Sequence, residues 1–158
     1  MQNEDKNVVF AAIDEMMPLI TEAINSGKSV ELSPRGTSML PMLREGKDSV
    51  ILSAPQGELK KYDIPLYRRK DGTYALHRVI AIGDYSYVCI GDNQYFAETV
   101  YHHQVIAVVT AFKKNGRLLT VDNRRYRIYV ALRMYMRPAR YFLIRVKRKI
   151  KRILGINK

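Results

Sequence analysis

The chain has 158 residues, 47% of them hydrophobic, which suits one folded domain with a single core and excludes an intrinsically disordered segment. Its one cysteine, Cys89, excludes an internal disulfide framework. The net charge of +12 is uneven: residues 1–123 hold 14 basic and 15 acidic residues, a net of −1, while residues 124–158 hold 13 basic residues and no acid. A near-neutral domain with a cationic appendage points to an anionic partner, lipid or nucleic acid.

Taken in chain order, residues 7–26 place Val8, Ala11, Ala12, Met16, Leu19, Ile20 and Ala23 at helical spacing. Pro18 is expected to bend or interrupt this helix, and Gly27 to end it. The stretch carries Asp14, Glu15 and Glu22, and no apolar run in the chain reaches the ~18 residues of a membrane span. It also lacks the basic start and small-residue cleavage site of a signal peptide. The expected location is therefore the cytoplasm or a membrane surface.

A strand-rich region follows. "SVELS" (29–33), "DSVILS" (48–53) and "IPLYRR" (64–69) read as strands, and Asp71-Gly72 as a turn. "YALHRVIAI" (74–82) reads as one continuous apolar strand holding a single histidine. "SYVCI" (86–90) makes Cys89 a small buried hydrophobe in a strand. "GDNQ" is a turn, and "QVIAVVTAF" and "RLLTV" form a last pair across "KKNG". The fold class is mainly β and antiparallel, with an N-terminal helix and a C-terminal basic helical tail. The expected parts are 1–27, 28–123 and 124–158.

In the tail Pro138 divides an aromatic, basic stretch. Beyond it Leu143, Val146, Ile150 and Ile153 recur on one helical face, with Arg145, Lys147, Arg148, Lys149, Lys151 and Arg152 over most of the rest. That is the pattern of a basic amphipathic helix lying in an anionic membrane interface. A helix covering the domain's own core has the same pattern; nucleic acid is not expected as a partner.

Three elements carry chemistry. "GTSMLP" (36–41) offers Ser38, "LHRVI" (76–80) offers His77 on an otherwise apolar strand, and "IGDNQ" (90–94) offers Asp92. A serine hydroxyl attacks a carbonyl only if a base accepts its proton, and the base works best when a third group orients it. Each element alone has an ordinary reading: a turn serine, a core histidine, a turn aspartate. Their order along adjacent antiparallel strands allows all three to meet at one sheet edge.

"GTSMLPMLREGKDSVIL", "YDIPLYRR", "LHRVIAI" and "IGDNQ", in this order over residues 29–112, resemble the signal peptidase I group of the clan of serine peptidases that also holds the LexA-type self-cleaving repressors. The chain is similar to the branch with histidine in place of lysine as base. The resemblance implies coiled antiparallel sheets and a serine endopeptidase acting on extended signal or leader peptides after small residues. It implies Ser38 as nucleophile, His77 as general base and Asp92 as the acid behind the base, with Glu98 the second choice. The backbone N–H of Ser38 is the expected oxyanion donor, Gly36 permits close approach of a substrate, Thr37 is a further donor and Met39 a pocket wall. A lysine base would need its pKa lowered by about three units, whereas histidine starts near 6.5 and gains from a carboxylate behind it.

The chain departs from the family pattern where Lys47 stands between Gly46 and Asp48, and in lacking an evident anchor. His102-His103 has no matching third ligand, so no metal and no cofactor are expected. Two other readings stay open: a non-catalytic peptide- or membrane-binding module with this fold, and a soluble relative that processes itself or another protein.

Overall fold

A computed structural model describes residues 13–139 together with Phe142 and Val146. The expected membrane contacts Arg145, Lys147, Arg148, Lys149, Lys151 and Arg152 lie outside the described residues. Two antiparallel sheets and two helices make up the rest, so the fold is mainly β.

Helix α1 (Ile13–Asn25) buries Met17, Ile20 and Ile24. Of the expected bend or interruption at Pro18, the interruption does not occur: the helix continues through it, with the ring on the exposed side while those three residues hold the other. It ends as expected at Gly27, whose φ of 74° is left-handed. Gly27 N–H donates to Ile24 O and Lys28 N–H to Ala23 O, the paired bonds of a Schellman cap.

The strands are β1 (Val30–Leu32), β2 (Asp48–Ser53), β3 (Pro65–Arg68), β4 (Tyr74–Leu76), β5 (Arg78–Ile82), β6 (Ser86–Ile90), β7 (Glu98–Tyr101), β8 (Val105–Lys114) and β9 (Arg117–Thr120). The larger sheet runs β1-β2-β8-β3-β4, and β9 pairs with β8. The ten-residue β8 organises it. One edge of β8 pairs with β2, and the other is shared by β3 near its start and β9 near its end. The smaller sheet is β5-β6-β7.

Side chains alternate across the larger sheet, because successive residues of a strand point to opposite faces. Leu66, Leu76, Ala107 and Val109 face a core shared with α1 and with Met39, Met42 and Leu43. Tyr67 and Ala75 face a second core, against Val79, Tyr87, Cys89 and Val100 of the smaller sheet.

Two expectations are corrected here. "YALHRVIAI" is not one strand. It breaks at His77 into β4, in the larger sheet, and β5, in the smaller one. The apolar run is continuous across the break because Ala75, Leu76 and Val79 on either side of it are buried, so hydrophobicity alone hides the change of sheet. The segment from Arg124 is also not wholly an appendage. Asn123 caps helix α2 (Arg124–Tyr135) by accepting from the N–H groups of Arg125 and Tyr126. Tyr126 and Val130, one turn apart, are buried in the first core.

Candidate active site

The loop between β1 and β2 carries Ser38. Met39, Met42 and Leu43 anchor it from below, each buried. Its sides are held by charge. Asp48, at the start of β2, is buried and accepts from Arg44 at Nε (2.8 Å), Nη2 (2.8 Å) and the backbone N–H (2.9 Å). The Arg44 fork, against burial, holds the Asp48 carboxyl down to about 2. Lys114 Nζ donates to the carbonyl of Met42 and lies 3.4 Å from Asp48. The residue displaced by Lys47 thus serves to brace the loop. At the other end Gly36, with a left-handed φ of 84°, donates its N–H to Glu45 Oε2 at 2.9 Å.

Ser38 is half-buried, and the turn after β6 fixes its position. Asn93 N–H donates to Ser38 O at 2.8 Å, and Asn93 Nδ2 to Thr37 O at 3.2 Å. The approach is so close that a Cβ on Gly91 would stand 2.7 Å from Ser38 O. Only glycine fits there. Strand β5 pairs with β6 at Arg78↔Ile90, the residues directly after His77 and directly before Gly91 in the chain. Among the described residues no hydrogen bond engages the backbone N–H of Ser38 or of Met39, leaving both as candidate oxyanion donors.

His77 is 2% exposed and sits where the chain passes between the sheets. Its Nδ1 lies 2.8 Å from Glu98 Oε1, at the start of β7, and 2.9 Å from Tyr67 Oη. Tyr67 Oη donates to Glu98 Oε1 at 2.6 Å. Arg69 grips the same carboxylate, Nε to Oε2 at 2.6 Å and Nη2 to Oε1 at 2.9 Å. Burial raises the Glu98 carboxyl, but hydrogen bonds from Arg69, Tyr67 and His77 outweigh it and hold it at about 2. An ionised carboxylate only accepts, so His77 carries its proton on Nδ1 and presents the Nε2 lone pair. Burial lowers the His77 pKa below its usual value, against the pull of Glu98. The ring is thus neutral and basic at neutral pH. Neither Nε2 nor the Ser38 hydroxyl has a hydrogen-bond partner among the described residues.

The acid behind His77 is Glu98 and not Asp92. Both Asp92 oxygens are taken by Arg78, Nε to Oδ1 and Nη2 to Oδ2, each at 2.8 Å. The two side chains are fully buried. Arg78 Nη1 also donates to Tyr126 Oη (2.9 Å) and Tyr62 O (3.1 Å), tying α2 to the site's underside. Side chains alternate along a strand, so Arg78 points away from the face His77 uses, and Asp92 follows Arg78. Sequence reasoning missed the supporting roles of Tyr67, Arg69 and Arg78, and it missed β7. The signal for that strand was "ETVY", a short run with β-branched and aromatic residues.

Cys89 is buried as expected, and burial with the nearby Glu98 pushes its thiol up to about 12. His102 and His103 lie on a single 3-10 turn, each stacked on a tyrosine, Tyr87 and Tyr101 respectively. Among the described residues no group of three or more histidine, cysteine, aspartate or glutamate side chains is placed to hold a metal ion. No family model and no curated protein sequence matches the chain.

Proposed function

We propose that the protein is a serine endopeptidase of signal-peptidase type. Ser38 attacks the scissile carbonyl, His77 Nε2 takes the hydroxyl proton, and Glu98 holds the imidazole in the reactive tautomer and balances its positive charge. The proton then passes from His77 to the leaving amine, and water releases the acyl group by the same route in reverse. Arg69 and Tyr67 keep Glu98 ionised and in place. The single observation that carries this reading is the 2.8 Å bond from His77 Nδ1 to Glu98, which leaves Nε2 to accept a proton.

The substrate is an extended peptide. Among the described strands β4 pairs only with β3, and it runs directly into His77, so a peptide strand can add to that edge with its carbonyl carried toward Ser38. Preference for small residues flanking the cut follows from the resemblance in sequence.

The test is labelling by a fluorophosphonate probe, which phosphonylates activated serines with loss of fluoride. Labelling of the full chain is expected, with loss in Ser38→Ala and in His77→Ala while circular dichroism stays unchanged. Absence of labelling in the folded parent protein would reject the peptidase and favour a non-catalytic peptide-binding module.

A further inference from the structure

Helix α2 has two working faces. Its inner face buries Tyr126 and Val130. On the same side Arg133 Nη2 donates to Leu40 O (3.0 Å) and Asp92 O (3.3 Å), and Arg137, just past the helix, donates to Gln94 O at 2.8 Å. The helix thus straps the Ser38 loop to the 91–94 turn. The outer face is apolar yet uncovered: Ile128 is 52% exposed, Leu132 55%, Tyr135 85% and Met136 54%. Spacings of four, three and one residues put these four on one side of the helix. Phe96, two residues past Gln94, is 88% exposed.

We infer that α2's outer face, with Phe96, is a docking surface for an anionic lipid bilayer. Four large apolar side chains left more than half exposed on one side of a helix and its C-cap are unusual for a surface that meets only water. Its surroundings select the occupant. Arg124, Arg125 and Arg127 stand on the same helix, and no acidic residue follows Asp122 anywhere in the chain. Apolar groups flanked by cations without acids match acyl chains beneath anionic headgroups. A second copy of the chain would bring the same positive charge against itself. The surface lies on described residues, apart from the basic run at 145–152. Docking through it holds the Ser38 loop one helix thickness, ~10 Å, from the bilayer, since the opposite face of the same helix holds that loop.

The chain contains no tryptophan, so single substitutions report position without background. Leu132→Trp and Phe96→Trp in the full chain are mixed with phosphatidylglycerol-containing vesicles bearing brominated acyl chains. Both are expected to shift to the blue and to be quenched. Tyr85→Trp, at the hairpin tip at the far end of the smaller sheet, is expected to be unaffected. Leu132→Glu should weaken partitioning about ten- to a hundredfold, the worth of one buried leucine. Quenching at neither 132 nor 96, or equal quenching at all three, overturns the inference. So does vesicle binding that is unchanged in Leu132→Glu, which would be purely electrostatic. Sedimentation showing a dimer that Leu132→Glu dissociates, without quenching by lipid, assigns the face to a second copy instead. None of these readouts needs peptide hydrolysis, so they succeed or fail independently of the proposed activity.

Discussion

Glu98 Oε1 lies 2.8 Å from His77 Nδ1, while the carboxylate of Asp92, the acid six residues earlier, is spent on Arg78. Two acids in one short segment thus have opposite duties: one faces His77 and the other holds the fold. The difference is measurable.

Glu98→Gln keeps the shape and removes the charge. The amide can donate as well as accept, so the His77 tautomer is no longer dictated. Labelling of Ser38 should slow by about 10²–10⁴-fold, with a lower melting temperature as well, because Arg69 and Tyr67 lose their ionised acceptor. A stopped-time labelling series checks this, and a rate equal to the parent's would remove Glu98 from the mechanism.

Asp92→Asn should act mainly on stability. It leaves the Arg78 guanidinium buried without its counter-charge, which typically costs about 3–5 kcal/mol. Urea unfolding should show a much lower midpoint. Replacing both partners, as in Arg78→Met with Asp92→Leu, should recover part of that loss, because no buried charge remains.

Activity should fall as pH drops through the ionisation of His77. Burial lowers that pKa below the ~6.5 of a free imidazole. The acylation rate should therefore hold steady from pH 8 to about 6.5 and decline only below it. The same shift has a sign for stability. The unfolded chain binds the proton more readily, so the contribution is full above the unfolded pKa and is lost as pH falls through the folded one. A rate constant that stays flat down to the pH at which the protein unfolds, or that rises as pH falls, would rule out His77 as the base.

Gly91→Ala places a methyl group 2.7 Å from the Ser38 carbonyl oxygen. The serine loop must move, and reactions depend steeply on sub-ångström placement. Labelling should drop at least about tenfold, while overpacking costs about 1–3 kcal/mol of stability. Rates and melting curves of the one variant test both.

Acid should unfold the protein through Asp48. Its carboxyl titrates near 2 in the fold because of Arg44 and near 4 when unfolded. The stabilisation is present above about 4 and is lost as pH falls through 2. Glu98, also held at about 2, acts in the same window. Asp48→Asn should be less stable at pH 7 and show a flatter decline between pH 4 and 2.

Much of this molecule is legible one residue at a time. Local chemistry dictates the Gly27 helix stop, the Asp71-Gly72 turn, the strand "DSVILS" and the burial of Cys89, since each depends on dihedral preference or on apolar patterning within a few residues. The serine-bearing loop and the apolar run holding His77 stand out in the same way. Which acid meets His77 is a different kind of question. It turns on the break at residue 77 between two sheets, on the register that sets Arg78 against Ile90, and on β7 lying beside β6. Those are pairings between segments distant along the chain, and hydrophobic pattern carries no record of which strands become neighbours. Composition alone made the C-terminal segment cationic. Tertiary packing turned α2 into a strap, because only a folded core offers Tyr126 and Val130 a place to bury and Arg133 two carbonyls to join.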